Sequence, residues 1–144
     1  MKILLVVVVL GLSTLFGPVV PLNAQEKKED ELLLFLMAAR NAAKAGWADK
    51  AIQRYDAYLK KNPEDKDARL EFADYLQDHG YYEKAGIHYD ILIQKMGGVQ
   101  EGTDVFTKKL MLNAARNAFK NKNEDRAVEY YKQTLSFDTD DSKV

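Results

Sequence analysis

The chain contains no cysteine, and it has only two histidines and three prolines among its 144 residues. Without cysteine it cannot form disulfides, thiolate-bound zinc sites or iron–sulfur clusters, and it has no Cys nucleophile or lipid anchor. An excess of positive charge is also missing, because 21 Lys and Arg face 22 Asp and Glu. Nucleic acid is therefore not an expected partner, since neutralising a phosphate backbone requires clustered basic residues.

Patterns that mark common catalytic and cofactor sites are lacking as well. His79 and His88 are the only imidazoles, and no His-Glu-x-x-His, Gly-x-Ser-x-Gly or phosphate-loop motif is present. Both histidines are predicted to be surface or helix-end residues. The sequence thus predicts a protein that is not an enzyme and that holds neither a metal nor a cofactor.

Residues 1–24 have the pattern of a secretory signal peptide. Lys2 precedes an uncharged run from Ile3 to Phe16, and the small residue Ala24 stands before a charged stretch. Cleavage after Ala24 would leave a polar leader at residues 25–31 and an exported protein, periplasmic or secreted. An uncleaved N-terminal membrane anchor is the alternative, although the run is shorter than the roughly 20 residues that span a bilayer.

The rest of the chain repeats itself. Ala51 and Tyr55 recur one period later as Ala85 and Tyr89, within a longer matching segment. A third Ala-x-x-x-Tyr, at Ala127 and Tyr131, lies farther on than one more period would place it, which predicts an insertion near 97–107. A fixed period of this kind indicates stacked supersecondary units, and these alanines and tyrosines are predicted to pack between their helices.

A 34-residue period with Ala51, Tyr55 and Pro63 at these spacings resembles the tetratricopeptide repeat family, over roughly residues 32–139. The resemblance implies an all-α fold, a solenoid of three α-hairpins in a right-handed superhelix. The repeats would cover about 32–65, 66–99 and 108–139, before a polar tail at 140–144. The family's Trp position holds Phe35, Arg69 and Met111, and Arg69 departs most from the pattern.

Periodicity and turn residues predict six helices, at about 30–45, 48–61, 66–79, 82–96, 105–121 and 124–137. Gly46 and Gly80 mark two hairpin turns, and Lys122 between two asparagines marks the third. Thr103 or Asp104 is the predicted N-cap of the fifth helix. Trp47 is predicted to pack over the first hairpin.

In this family the first helix of each repeat lines a concave face that binds peptides or protein segments. Transferring that geometry predicts an apolar leucine strip flanked by basic, acidic and basic bands, which suits a protein segment. The solvated outer face of an ordinary helical array is the alternative. The predicted partner-binding residues are Leu33, Leu36, Arg40, Ala43, Lys44, Asp67, Leu70, Asp74, Gln77, Asp78, Lys109, Leu112, Arg116, Phe119 and Lys120.

No polar capping helix is visible after the third repeat. Val128, Leu135 and Phe137 are therefore expected to stay partly exposed on the last helix. Either neighbouring polar residues solvate this end, or it serves as a docking or homodimer surface.

Two function classes follow from this sequence. The first is a non-catalytic protein–protein interaction scaffold or adaptor of the bacterial cell envelope, serving an export or envelope-assembly complex. The second is an accessory protein that binds a polysaccharide or other polymer, with Tyr, Trp and Phe119 as stacking groups. The second would require several exposed aromatic residues on one face, and the predicted groove supplies only Phe119.

Overall fold

The computed structural model describes residues 22–96 and 105–138, and within them the side chains of 27–96 and 105–136. These ranges form six helices and contain no strand, so the predicted all-α fold is confirmed. The helices are α1 (Leu22–Lys44), α2 (Ala48–Lys61), α3 (Lys66–Asp78), α4 (Tyr82–Lys95), α5 (Val105–Lys120) and α6 (Glu124–Asp138). Five of them match the predicted spans closely, whereas α1 begins at Leu22 rather than near residue 30.

Several predictions fall outside the described residues. These are the signal-peptide run before residue 22, most of the insertion near 97–107, the N-cap at Thr103 or Asp104, the exposure of the Phe137 side chain and the polar tail at 140–144. Among the described helices, none combines the length and the apolar character needed to cross a bilayer.

Consecutive helices pack as pairs, and consecutive pairs pack on each other. The closest packing joins α1 to α2, α3 to α4, and α5 to α6, while α2–α3 and α4–α5 contacts connect the pairs. α3 also contacts α5, so the first helices of neighbouring pairs lie on the same side. The result is an array of three α-hairpins.

The three hairpin turns have one shared conformation. Gly46, Gly80 and Lys122 all have positive φ, at 72°, 80° and 59°. In each turn the amide of the next residue donates to a carbonyl five residues back, as from Trp47 to Ala42 at 3.0 Å. This is the Schellman closure of a helix end, and it confirms the predicted turns. Only the third turn places a residue with a Cβ in the left-handed region.

The repeat-packing residues are buried in the first two pairs. Ala51 and Ala85 are 0% exposed, and Tyr55 and Tyr89 are 2% and 1% exposed. Small side chains at the alanine positions let paired helices approach closely. Pro63 lies at the surface between the first two pairs, and its carbonyl accepts hydrogen bonds from Arg69 and Lys95.

The third pair departs from this pattern. Ala127 is 2% exposed, but the packing role predicted for Tyr131 is wrong, because Tyr131 is 36% exposed and Tyr130 is buried instead. The reason is the missing neighbour: Tyr55 is covered by α3, whereas the described residues contain no helix after α6.

Arg69 is buried where the family pattern has Trp, and its environment explains how a charge is accommodated. One guanidinium nitrogen donates to the Pro63 carbonyl at 3.0 Å, and another lies 3.4 Å from Nδ1 of His88. His88 also packs edge-on against Phe72 at 4.8 Å. Burial, helped by the charge of Arg69, lowers the pKa of His88 to about 4. The expectation of a surface histidine is therefore wrong for His88, while His79 is indeed at a helix end, as the C-cap of α3.

Candidate protein-binding groove

A groove of about 740 Å³ runs across the first helices of the three pairs. Eight of the predicted binding residues line it, and residues that sequence reasoning missed complete it. The lining consists of Arg40, Ala43, Lys44, Tyr55, Asp67, Leu70, Glu71, Asp74, Tyr75, Asp78, Phe106 and Lys109.

The expected strip of accessible leucines is not formed. Leu36 and Leu70 are 7% and 4% exposed and belong to the hydrophobic core, and Leu112 is half-buried. These positions face the neighbouring helices rather than solvent. The apolar part of the groove is instead supplied by Ala43, Tyr75 and Phe106, with only the edge of Leu70.

Arg40 was expected to face a ligand, but its guanidinium is bound within the fold. It holds Glu71 of α3 through Nε at 2.9 Å and Nη2 at 2.6 Å, and the Tyr55 hydroxyl donates to the same carboxylate at 2.6 Å. Burial opposes ionisation of Glu71, yet the hydrogen bonds from Arg40 and Tyr55 leave its pKa below the ordinary value. This triad connects the first pair to the second.

Asp74 occupies the position equivalent to Arg40 in the next repeat, and it is also engaged. Its Oδ1 accepts hydrogen bonds from the Tyr89 hydroxyl at 2.8 Å and from Asn113 Nδ2 at 2.7 Å. Lys109 reaches its other oxygen at 3.2 Å. Burial and the charge of Asp74 raise the pKa of Tyr89. Asp74 thus connects the second pair to α5.

Three charged groups of the groove remain available to a ligand. Lys44, Asp67 and Asp78 are exposed, and no ion pair joins them to the described residues. They supply one basic and two acidic contacts. The predicted basic–acidic order therefore persists over the first two pairs, carried by fewer residues than expected.

The remaining predicted residues do not line this groove. Gln77 is half-buried, and its side-chain oxygen has no hydrogen-bond partner among the described residues. Arg116, Phe119 and Lys120 are exposed near the far end of α5, and Leu33 is exposed on α1. The predicted surface is thus wider than the groove itself.

Sequence reasoning missed Glu71, Tyr75 and Phe106. The position of Glu71 holds Met37 in the first repeat and Asn113 in the third, so no shared residue type indicates its role. The Tyr75 hydroxyl is buried without a partner in the described part of the chain.

The hairpin edge carries aromatic side chains that were not expected there. Trp47, predicted to pack over its hairpin, is 56% exposed, and Tyr81 at the equivalent turn is 36% exposed. Lys50 lies 4.6 Å above the Trp47 ring, and Lys84 lies 5.8 Å from the Tyr81 ring. Trp47 takes the N-cap position of α2, and its exposure shows that it does not pack into the hairpin interior.

Among the described residues no group of three or more His, Cys, Asp or Glu side chains is arranged to hold a metal ion. No protein-family model matches the chain, and a search of curated proteins finds no significantly similar sequence.

Proposed function

We propose that this chain is a non-catalytic protein–protein interaction scaffold or adaptor that binds an extended or helical protein segment in the groove of α1, α3 and α5. The observation that carries the proposal is the groove itself, about 740 Å³ in volume and open across three helices from different pairs. Its walls combine apolar surface with a few unpaired charges, which is the chemistry that peptide-binding surfaces use.

The resemblance to tetratricopeptide repeats supports the same proposal, since it implies ligands on this face. The bacterial cell envelope is the proposed location, and an export or envelope-assembly complex is the proposed setting. This part rests on the signal-peptide pattern of residues 1–24.

Site-specific photo-crosslinking in the native host tests the proposal. A photoreactive amino acid would replace Lys44 or Asp78 in the groove, and matched variants would carry it at Gln53 or Glu83, which are exposed on second helices. We expect one protein adduct from the groove positions that is not obtained from the second helices. The same adduct in equal yield at all four positions would contradict the groove as the binding site.

Charge reversal then tests which contacts matter. Lys44→Glu is the suitable variant, because Lys44 is exposed and unpaired within the described chain, whereas Arg40→Glu would also break the contact with Glu71. We expect the adduct at Asp78 to fall severalfold with Lys44→Glu while the melting temperature stays unchanged.

Polymer binding is the second candidate, and the exposed rings at the hairpin edge favour it. Trp47 and Tyr81 stand at equivalent positions of two repeats, each with a lysine over one face of the ring. Trp47 is the single tryptophan of the chain, so its fluorescence reports this edge alone. A saturable change in Trp47 fluorescence on addition of an envelope polysaccharide would favour polymer binding over the scaffold, provided that the change is lost in Tyr81→Ala.

A further inference from the structure

One face of α6 is apolar and exposed. Val128, Tyr131 and Leu135 are 50%, 36% and 65% exposed, and their spacing of three and then four residues places them on one side of the helix. An exposed apolar helix face of this kind is a candidate interaction surface.

The first helix pair has the same face, but there it is covered. Each residue of the α6 face has a counterpart two repeats earlier in α2, and the three counterparts are Ile52, Tyr55 and Leu59. Tyr55 and Leu59 are 2% and 5% exposed. Tyr55 stacks on Phe72 of α3 with ring centroids 4.9 Å apart. α3 is therefore the helix that fits this face in its first occurrence.

The polar part of the first interface is repeated as well. Arg116 is the counterpart of Arg40 in the same register, and it is exposed without an ion pair to any described residue. In the first pair the guanidinium of Arg40 and the hydroxyl of Tyr55 together bind the carboxylate of Glu71. Arg116 and Tyr131 thus present the same two donor groups, with the carboxylate missing.

We propose that Arg116, Val128, Tyr131 and Leu135, here named the open-end face, bind one amphipathic helix of a different protein. The helix carries a carboxylate followed directly by a large apolar residue, as Glu71 and Phe72 do in α3. A small residue stands three positions before the carboxylate, where α3 has the buried Ala68.

Charge argues against a second copy of this chain as the occupant. A second copy that continued the array would offer α1, whose outward face exposes Leu34 and Met37 at 65% and 48%. Met37 stands at the register of Glu71 in the preceding repeat, so Arg116 would face a thioether. Burying an unpaired guanidinium is unfavourable, and the interface would lose the contact that defines its first occurrence.

This surface is distinct from the groove. Its four residues do not line the groove, whose walls on α5 are Phe106 and Lys109 near the opposite end of that helix. The proposal shares the protein-binding class of the proposed function but not its site. Failure of one therefore leaves the other unaffected.

A titration with a synthetic copy of α3 tests the proposal. The probe is residues 66–79 as a terminally blocked peptide, held helical by a side-chain lactam on its outer face because a free helix of this length is marginal. The ¹⁵N-labelled full chain is observed by NMR. We expect saturable shifts at Val128, Tyr131 and Leu135. Arg116→Glu should weaken binding at least tenfold, whereas Lys132→Glu, the same charge change on a neighbouring exposed residue, should leave it nearly unchanged.

A charge swap distinguishes the loss of a specific contact from misfolding of the variant. A peptide with Glu71→Arg should bind the Arg116→Glu chain better than it binds the original chain. Shifts confined to the groove, no saturable binding at millimolar peptide, or binding insensitive to Arg116→Glu would overturn the proposal. A dimer of the full chain whose contact includes Tyr131 would overturn it too, because the occupant would then be a second copy.

Discussion

The two interfaces between helix pairs share one register but use different chemistry. In the first, Arg40 and Tyr55 bind the carboxylate of Glu71, and Tyr55 stacks on Phe72. In the second, the equivalent position to Arg40 is Asp74, which accepts hydrogen bonds from Tyr89 and Asn113. Both interfaces include an ion pair, but the first adds stacked aromatic rings, whereas the second adds hydrogen bonds from the side-chain amides of Asn113 and Asn117.

The space between the helices differs in the same way. At one position the first pair has Ile52, which packs against the core, whereas the second pair has Gly86. A Cβ at Gly86 would meet Asn117 Nδ2 at 3.3 Å, and that amide donates to the Tyr82 carbonyl at 3.0 Å. The repeat period therefore determines which positions lie at the contact between two helix pairs. The residue types at those positions determine which helix fits there, and the same is proposed for the open-end face.

The largest expected effect is the difference in stability loss between a substitution at the covered Tyr55 and one at its exposed counterpart, Tyr131. Tyr55→Ala should lower the free energy of unfolding by about 3–5 kcal/mol, because it empties a buried aromatic position. Tyr131→Ala, on the exposed counterpart, should cost less than about 1 kcal/mol. Urea denaturation of both variants measures the difference. Similar losses would mean that Tyr131 is covered in solution.

Making the second interface resemble the first should destabilise the chain. Gly86→Ile copies the residue of the first pair, but its side chain would push against Asn117, and we expect a loss of about 1–3 kcal/mol despite the better helix propensity of Ile. Thermal melting compared with Ile87→Leu, at an exposed neighbouring position, measures it. A gain in stability would show that the two interfaces are interchangeable.

Acid should weaken the fold through His88, which packs on Phe72 of the first interface. Its pKa is about 4 in the folded chain and 6.5 ordinarily, so below pH 6.5 the unfolded state binds a proton that the folded state does not. The free energy of unfolding should fall as the pH falls from 6.5 towards 4, by about 2 kcal/mol after allowance for partial exposure.

Denaturation at pH 6.5 and pH 5 checks this slope above the pH at which most carboxylates are half-protonated. His88→Phe should flatten it, and His79→Gln, at an exposed helix end, is the matched control. An unchanged slope in His88→Phe would assign the acid sensitivity to other groups.

The smallest expected effect concerns the third turn. Lys122 adopts φ 59°, where the other two turns have glycine. Lys122→Gly should raise the free energy of unfolding by up to about 1 kcal/mol, because it removes the Cβ strain of the left-handed region. Gly46→Ala should have the opposite sign in the same melting experiment. Equal signs would mean that the turns do not share one conformation in solution.

Sequence periodicity predicted the features that a repeat determines by itself. Five helix spans, the three turns and the buried Ala51 and Ala85 follow from local spacing, and the structure has them. The features that depend on the next pair could not be predicted. Tyr131 matches Tyr55 in spacing, but no helix within the described residues covers it as α3 covers Tyr55, and it is 36% exposed.

The same limit applied to the groove. Arg40 is charged and exposed, as a ligand-binding side chain would be, yet Glu71 binds it across the interface. No pattern within one repeat contains that pairing, because its two members belong to different pairs. Lys44 and Asp78, whose positions lie at helix ends away from the interface, were placed in the groove by the family geometry, and they do line it.

An extended chain tests most directly whether the open-end face repeats the first interface. Residues 62–95 would be fused after Phe137, because Lys61 and Phe137 are equivalent and the copied α3 then has its natural register. We predict that the extended chain unfolds in a single transition, at a higher urea concentration than the parent chain. We also predict that Arg116→Glu lowers the free energy of unfolding more in the extended chain than in the parent chain. The account would be contradicted if a protease removed the appended helix pair and if Arg116→Glu lowered the free energy of unfolding by the same small amount in both chains.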